Sequence, residues 1–257
     1  MDRWQYQLRH SLTDSYIHTF IHSFIYSSLL LIQQELDFSY CLDFDRTYLD
    51  QLTPLLPTLK ILRIRGALSL DLVSPQGTTS QPSTAVTDLL AQLVELDLSA
   101  INRAGSHMEM SHIAAICRAC HNLERLDLAW RKSLIDVTAL RTMTKLTILD
   151  VSLTCLTAES CRELANMTQL QELNLSATDI GHAGIVNLIS KNKSSNIQIL
   201  RLRFVKGLTE DTIYHLVEYA PKLRLLDIQS IQSDGLEDFN ATASLRALKM
   251  KGVTVII

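Results

Sequence analysis

The sequence predicts an α/β solenoid. It should form a horseshoe of about nine repeats, each giving one short strand to a parallel concave sheet and one helix to the convex side. The first observation behind this is a recurring heptapeptide. Leu170-Gln171-Glu172-Leu173-Asn174-Leu175-Ser176 is repeated at Leu93 to Ser99, Leu123 to Ala129 and Leu146 to Ser152. Weaker copies run from Leu59 to Arg65, Ile197 to Arg203, Leu223 to Gln229 and Leu245 to Lys251, and Glu35 to Ser39 is a degraded first copy. The second observation is spacing. The central leucines fall at 36, 62, 96, 126, 149, 173, 200, 226 and 248, 22 to 34 residues apart. The third is composition: 47% of the 257 residues are hydrophobic but only 6% aromatic, which suits a core of stacked leucines.

Such self-similarity resembles the leucine-rich repeat, in which one strand per repeat lines a horseshoe. The elements follow in chain order. Residues 1–34 stand outside the pattern. Tyr16 to Ile32 is the most apolar run, but it is short for a membrane span and His18 and His22 interrupt it. No small-residue cleavage site follows it, as a secretory signal would require. Its four-residue near-repeat, Ile17-His18-Thr19-Phe20 then Ile21-His22-Ser23-Phe24, is low in complexity. Two readings stand open: an amphipathic cap over the first repeat, or a translated simple repeat joined upstream of Gln34.

From Glu35 onward each strand is expected to be followed by a turn and a returning helix. Tyr48 to Leu52, Thr157 to Leu164, Gly181 to Leu188 and Ile213 to Val217 occupy the helical slot. Ile213, Leu216 and Val217 share one helical face, and with the strand leucines they should fill one core. The long second interval is explained by 74–84, a polar stretch rich in turn formers, expected as a surface loop inserted into a repeat. Leu245 to Met250 is expected as the last strand. Gly252 to Ile257 then follows either as a short closing strand or as the edge of a longer array.

The repeat is similar to the cysteine-containing leucine-rich repeats of F-box proteins. Leu36-Asp37-Phe38-Ser39-Tyr40-Cys41 matches the Leu-Asp-Leu-Ser-x-Cys part of that pattern. Leu208-Thr209-Glu210-Asp211 and Ala220-Pro221-Lys222-Leu223 match its Leu-Thr-Asp and Cys-Pro-x-Leu parts loosely. The resemblance runs from Glu35 to the C-terminus and implies substrate recognition in ubiquitin ligases, with ligase subunits as partners. The F-box itself is not visible in residues 1–34.

Other chemistry is weakly signalled. The net charge of −3 argues against nucleic acid as a default partner. Five scattered cysteines read as reduced thiols, which points to the cytoplasm or nucleus. Four N-x-Ser/Thr triplets, at Asn166, Asn174, Asn192 and Asn240, are too short a signal to indicate glycosylation, and Asn174 lies in an expected strand. Cys117-Arg118-Ala119-Cys120-His121 matches a haem-attachment pattern, yet Ile113, Ile116, Cys117 and Cys120 share a helical face, so both thiols should enter the core. His107, His112 and His121 lack a ligand cluster. No cofactor, metal or membrane is expected, and no enzyme.

The strand surface carries the functional expectation. Residues between the inward leucines face out, with Asp97, Asp127, Asp150, Asn174 and Arg201 in one column and Arg203 in the next. Glu95 and Glu172 lie in the preceding column. Neighbouring strands sit about 4.8 Å apart, so Asp97, Asp127 and Asp150 form a row of like charge, in part because aspartate is habitual at this repeat position. Glu95, Asp97, Asp127, Asp150 and Glu172, with Asn174 at the edge, are expected to dock a basic segment of a protein partner. Arg201, Arg203, Lys249 and Lys251 are expected to form a separate basic zone. The expected function is a substrate receptor or scaffold. A structural subunit of a large stable assembly, ciliary or organellar, is the alternative.

Overall fold

In a computed structural model, residues 34–40, 48–50, 53, 56–67, 84–101, 110–189, 195–230 and 242–257 are described. The segment 1–33, most of the polar stretch 74–84, Cys41 and His107 therefore lie outside them. Among the described residues nine strands form one parallel sheet in strict sequence order. They are β1 Glu35–Asp37, β2 Ile61–Arg63, β3 Glu95–Asp97, β4 Arg125–Asp127, β5 Ile148–Asp150, β6 Glu172–Asn174, β7 Ile199–Arg201, β8 Leu225–Asp227 and β9 Thr254–Ile256. Each strand is three residues long, and its middle residue points inward. The register stacks Leu36, Leu62, Leu96, Leu126, Leu149, Leu173, Leu200 and Leu226 in one line, ending on Val255. This is a leucine-rich repeat solenoid.

The opposite wall is helical. Its described α-helices are α1 Thr84–Gln92, α2 Met110–Ala119, α3 Ala158–Leu164, α4 Gly181–Leu188, α5 Glu210–Tyr219 and α6 Ala243–Met250. The return between β4 and β5 carries a 3₁₀ helix, Thr138–Thr142, instead. That repeat is one of the shortest, and a 3₁₀ helix rises about 2.0 Å per residue against 1.5 Å for an α-helix. It spans the convex side with fewer residues. Between the walls lies one continuous core in which Leu89, Leu93, Leu96 and Leu98 of a single repeat are each 2% exposed or less. Burial of one such side chain contributes roughly 1.5–3 kcal/mol before entropy is counted. A single repeat encloses none of them alone, so neighbours supply the stability.

Local chemistry sets the helix starts. Thr209 caps α5: its Oγ1 accepts from the Thr212 amide at 3.4 Å, and its own amide donates to Thr212 Oγ1 at 3.0 Å. Thr242 caps α6 in the same manner, accepting from the Leu245 amide. Here the structure corrects the sequence expectation. Leu245 to Met250 is not a strand but α6, and the last strand is β9, which begins four residues beyond it, within the Gly252 to Ile257 stretch read as a possible closing strand. Leu245 and Leu248, three apart, satisfy the inward face of a helix as well as the lead of a strand. Thr84, expected at the end of the inserted loop, opens α1.

Seven of the nine strands, all but β3 and β9, run on past their regular part and then turn sharply. Tyr40, Trp130, Leu153, Ala177, Phe204 and Ser230 all have φ between +54° and +71°, and Gly66 has +77°. They occupy one repeat position. The amide of each of the first five, and of Gly66, donates to a carbonyl of the following strand, as from Trp130 to Ser152 at 2.9 Å and from Ala177 to Arg203 at 2.7 Å. A left-handed backbone costs a residue with a Cβ roughly 1–2 kcal/mol, so the ladder imposes the turn against local preference. The next residue faces inward again. Thr154 and Thr178 donate to the carbonyls of Val151 and Leu175 at 2.6 Å, and the fully buried Arg131 donates from Nε to Leu98 at 2.6 Å.

Candidate protein-binding face

The sheet exposes three columns of side chains. Eight of the expected site residues stand on it in adjacent rungs: Glu95, Asp97, Asp127, Asp150, Glu172, Asn174, Arg201 and Arg203. Lys249 and Lys251 do not. Lys249 is in α6, and Lys251 follows that helix with its Nζ on the Val217 carbonyl of α5 at 2.6 Å. The reason is the displaced last strand, which puts Ile256 opposite Asp227 where a lysine was expected.

The aspartate row has a backbone task. Asp127 Oδ1 accepts the Ala129 amide at 2.9 Å, and Asp150 Oδ1 accepts the amide and hydroxyl of Ser152 at 2.9 and 2.6 Å. Asp97 does the same with Ser99 at 3.0 and 2.8 Å. Asp37, Asn174 and Asp227 each accept the amide two residues on. Aspartate or asparagine closes an Asx-type turn at the strand end, which is why the residue recurs. Asp97 is only 3% exposed, far from the open display expected for a docking carboxylate.

Most charges on the face are already paired with each other. Arg63 bridges Glu35 and Glu95, the latter at 2.9 Å, and Arg65 meets Asp97 at 2.5 Å. Arg125 approaches Glu95 at 4.0 Å. Arg201 reaches back to Glu172 at 3.7 Å, and Arg203 sits 3.8 Å from Asp227 and hydrogen-bonds Gln229. The acidic and basic zones expected to be separate are therefore joined at β6 and β7. Pairs of this exposure contribute about 0–1 kcal/mol each, so they order the surface more than they stabilise the fold.

Asp127 and Asp150 differ. Among the described residues neither has a cationic group within ion-pair distance, and the two stand opposite each other in the register of β4 and β5. Asn174 donates to Asp150 Oδ2 at 2.7 Å, which also engages the side chain of one potential glycosylation triplet. Burial, then the neighbouring charges of Asp97 and Asp150, push the Asp127 carboxyl up to about 7. The Ala129 amide and Arg65 act in the opposite direction without cancelling this. A cation brought here would relieve like-charge repulsion.

The cysteine motif is part of the core. Cys117 and Cys120 are 2% and 0% exposed, while His121 faces solvent. Burial raises both thiols well above their ordinary range, Cys117 to about 12, which makes them unreactive. Among the described residues no group of three His, Cys, Asp or Glu side chains is arranged to hold a metal, and no helix is long and apolar enough to cross a membrane.

Sequence reasoning missed the rim above this face. The left-handed turn places Trp130 and Phe204 at the sheet's edge, 37% and 57% exposed, with Leu153 and Ala177 half-buried between them. These residues share no chemistry that could have marked them.

No protein-family pattern and no curated protein matches the chain. Among solved structures it is similar to internalin C2 from Listeria monocytogenes, with 21% identity over 77% of this chain and 81% of that one and a TM-score of 0.46. It is also similar to the plant peptide hormone receptor RGFR1 in complex with RGF2, with 14% identity, 87% of this chain, 32% of the receptor chain and a TM-score of 0.46. The assignment to the leucine-rich repeat fold rests on the chain's own nine-rung sheet and leucine register.

Proposed function

We propose that this chain is a protein-interaction module whose strand face receives a basic segment of a partner protein at Asp127 and Asp150. One observation carries the proposal: on a face where the other acidic groups at its centre are held by arginines, these two adjacent carboxylates have no cation within ion-pair distance among the described residues. An incoming lysine or arginine fills that position and removes repulsion present in the free protein.

The resemblance to F-box repeats supports a finer reading as a substrate receptor or scaffold of a ubiquitin ligase, acting in the cytoplasm or nucleus. Native purification of the tagged chain from cells, beside an Asp127→Asn/Asp150→Asn variant, tests both levels. The expected result is a partner with a basic segment that the variant loses, together with a cullin-type ligase retained by both. Recovery of the same partners by both proteins overturns the docking site. A fixed stoichiometric complex without a cullin replaces the ligase reading with that of a structural subunit.

A further inference from the structure

We infer that the rim residues Trp130, Leu153, Ala177 and Phe204 act with Asp127 and Asp150 as one docking site for an extended peptide segment, in which a lysine or arginine is flanked by large apolar side chains. This rests on the proposed role of the two carboxylates and adds the chemistry of the segment around the cation.

The rim is continuous. Its four residues lie on consecutive rungs, joined by the hydrogen bonds from Trp130 to Ser152, Leu153 to Ser176 and Ala177 to Arg203. Strands about 4.8 Å apart place Trp130 and Phe204 roughly 14 Å from each other, the span of about four residues of extended chain. At the Gly66 rung, by contrast, the chain covers itself: Ile101 packs over Gly66, close enough that a Cβ there would lie 2.6 Å from it. Between Trp130 and Phe204 the apolar surface is open.

Charge fixes the occupant. Asp127 precedes Trp130 by three residues and Asp150 precedes Leu153 by three, so each carboxylate lies within about 10 Å of a rim side chain along the strand. A segment seated on the rim can reach these carboxylates with a long basic side chain. An acidic segment would meet uncompensated negative charge at the same place.

The backbone supplies an independent sign. Trp130 and Phe204 hold φ of +66° and +59°, a conformation that bulky residues avoid, and the exposed rings gain little core burial in return. Asparagine tolerates this conformation better. A Trp130→Asn/Phe204→Asn variant therefore removes both aromatic ends of the rim without threatening the fold.

The test uses the full chain and a displayed library of random peptides, selected on the wild-type protein. The expected outcome is enrichment of peptides with lysine or arginine beside aromatic residues or leucine. A synthetic peptide from that set should bind the rim variant about tenfold more weakly, as expected for loss of aromatic anchors. It should weaken similarly on the Asp127→Asn/Asp150→Asn variant, while the rim variant melts no lower than wild type. Absence of enrichment overturns the inference, and so does equal affinity for the rim variant. In the latter case a loss confined to the carboxylate variant leaves the proposed function standing and removes only the rim. A loss confined to the rim variant overturns the charge element and the proposed basic segment with it.

Discussion

Asn174 donates from Nδ2 to Asp150 Oδ2 across neighbouring strands at 2.7 Å, while each residue's Oδ1 accepts the backbone amide two residues further along its own chain. Asparagine here is the neutral end of the aspartate row. It supplies a donor where another carboxylate would only repel. Asn174→Asp should retain the turn but lose the cross-strand bond, and should place a fourth charge beside Asp97, Asp127 and Asp150. The expected loss is about 1 kcal/mol near neutral pH, by urea denaturation, and smaller at acid pH. An equal loss at both would show that charge plays no part.

Asp127 predicts a pH dependence of unusual sign for a carboxylate. Its folded pKa of about 7 lies above its unfolded value near 4, so between the two the folded state holds the extra proton. Stability from this group is fully present at the acid side of that window and falls as pH rises towards 7. The slope is at most about 1.4 kcal/mol per pH unit for one proton. In paired urea titrations, Asp127→Asn should flatten the wild-type dependence across this window. Parallel curves for the two proteins would refute the assignment.

Gly184 sits where α4 packs against α3. An added Cβ would lie 2.6 Å from Ile180 Cβ and 3.2 Å from Cys161 Sγ. Alanine ordinarily favours a helix over glycine by about 1 kcal/mol. Here overpacking should outweigh that preference, and Gly184→Ala should lower stability by about 1–3 kcal/mol. Thermal melts of this variant, with Gly207→Ala as an uncrowded control, measure the difference. Gly207, unlike Gly184, has positive φ, at +67°, and nothing within 4 Å of an added Cβ, so its cost is conformational alone.

Thiol labelling should divide the described cysteines by position. Cys155 is exposed, whereas Cys117, Cys120 and Cys161 are buried and burial raises their thiols, Cys117 and Cys161 to about 12. Iodoacetamide followed by mass spectrometry should modify Cys155 in the native protein and the other three only after denaturant. Fast native labelling of Cys117 or Cys120 would remove them from the core.

The leucine register was legible because its period and its burial have the same cause: one inward side chain per three-residue strand. The last strand was legible only as one of two readings of Gly252 to Ile257, behind a misplaced strand at Leu245 to Met250. Leu245 and Leu248, with Arg246 and Ala247 between them, fit two periods at once, and β9 has Val255 where every earlier strand has leucine. Thr242 before α6 and Gly252 after it, with φ of +82°, were the available stop and start signals. On the face, the sequence indicated which residues share a column but not their diagonal pairing. Arg63 meets Glu35 and Glu95 because it stands one column beyond them on the strand between. The habitual aspartate was visible as a habit; its amide partner was not. Nor was the rim, since Tyr40, Trp130, Leu153, Ala177, Phe204 and Ser230 acquire their common backbone from the neighbouring rung rather than from their own side chains.

Every rung of the sheet bonds only to the rungs made just before and just after it in the chain. Information about a disturbance at β4 must therefore pass through β5 and β6 before it reaches β7, losing strength at each interface. A ligand lying from Trp130 to Phe204 touches four successive rungs at once. It would act as a splint, tightening the middle of the molecule while β1 and β9 remain nearly indifferent to its arrival.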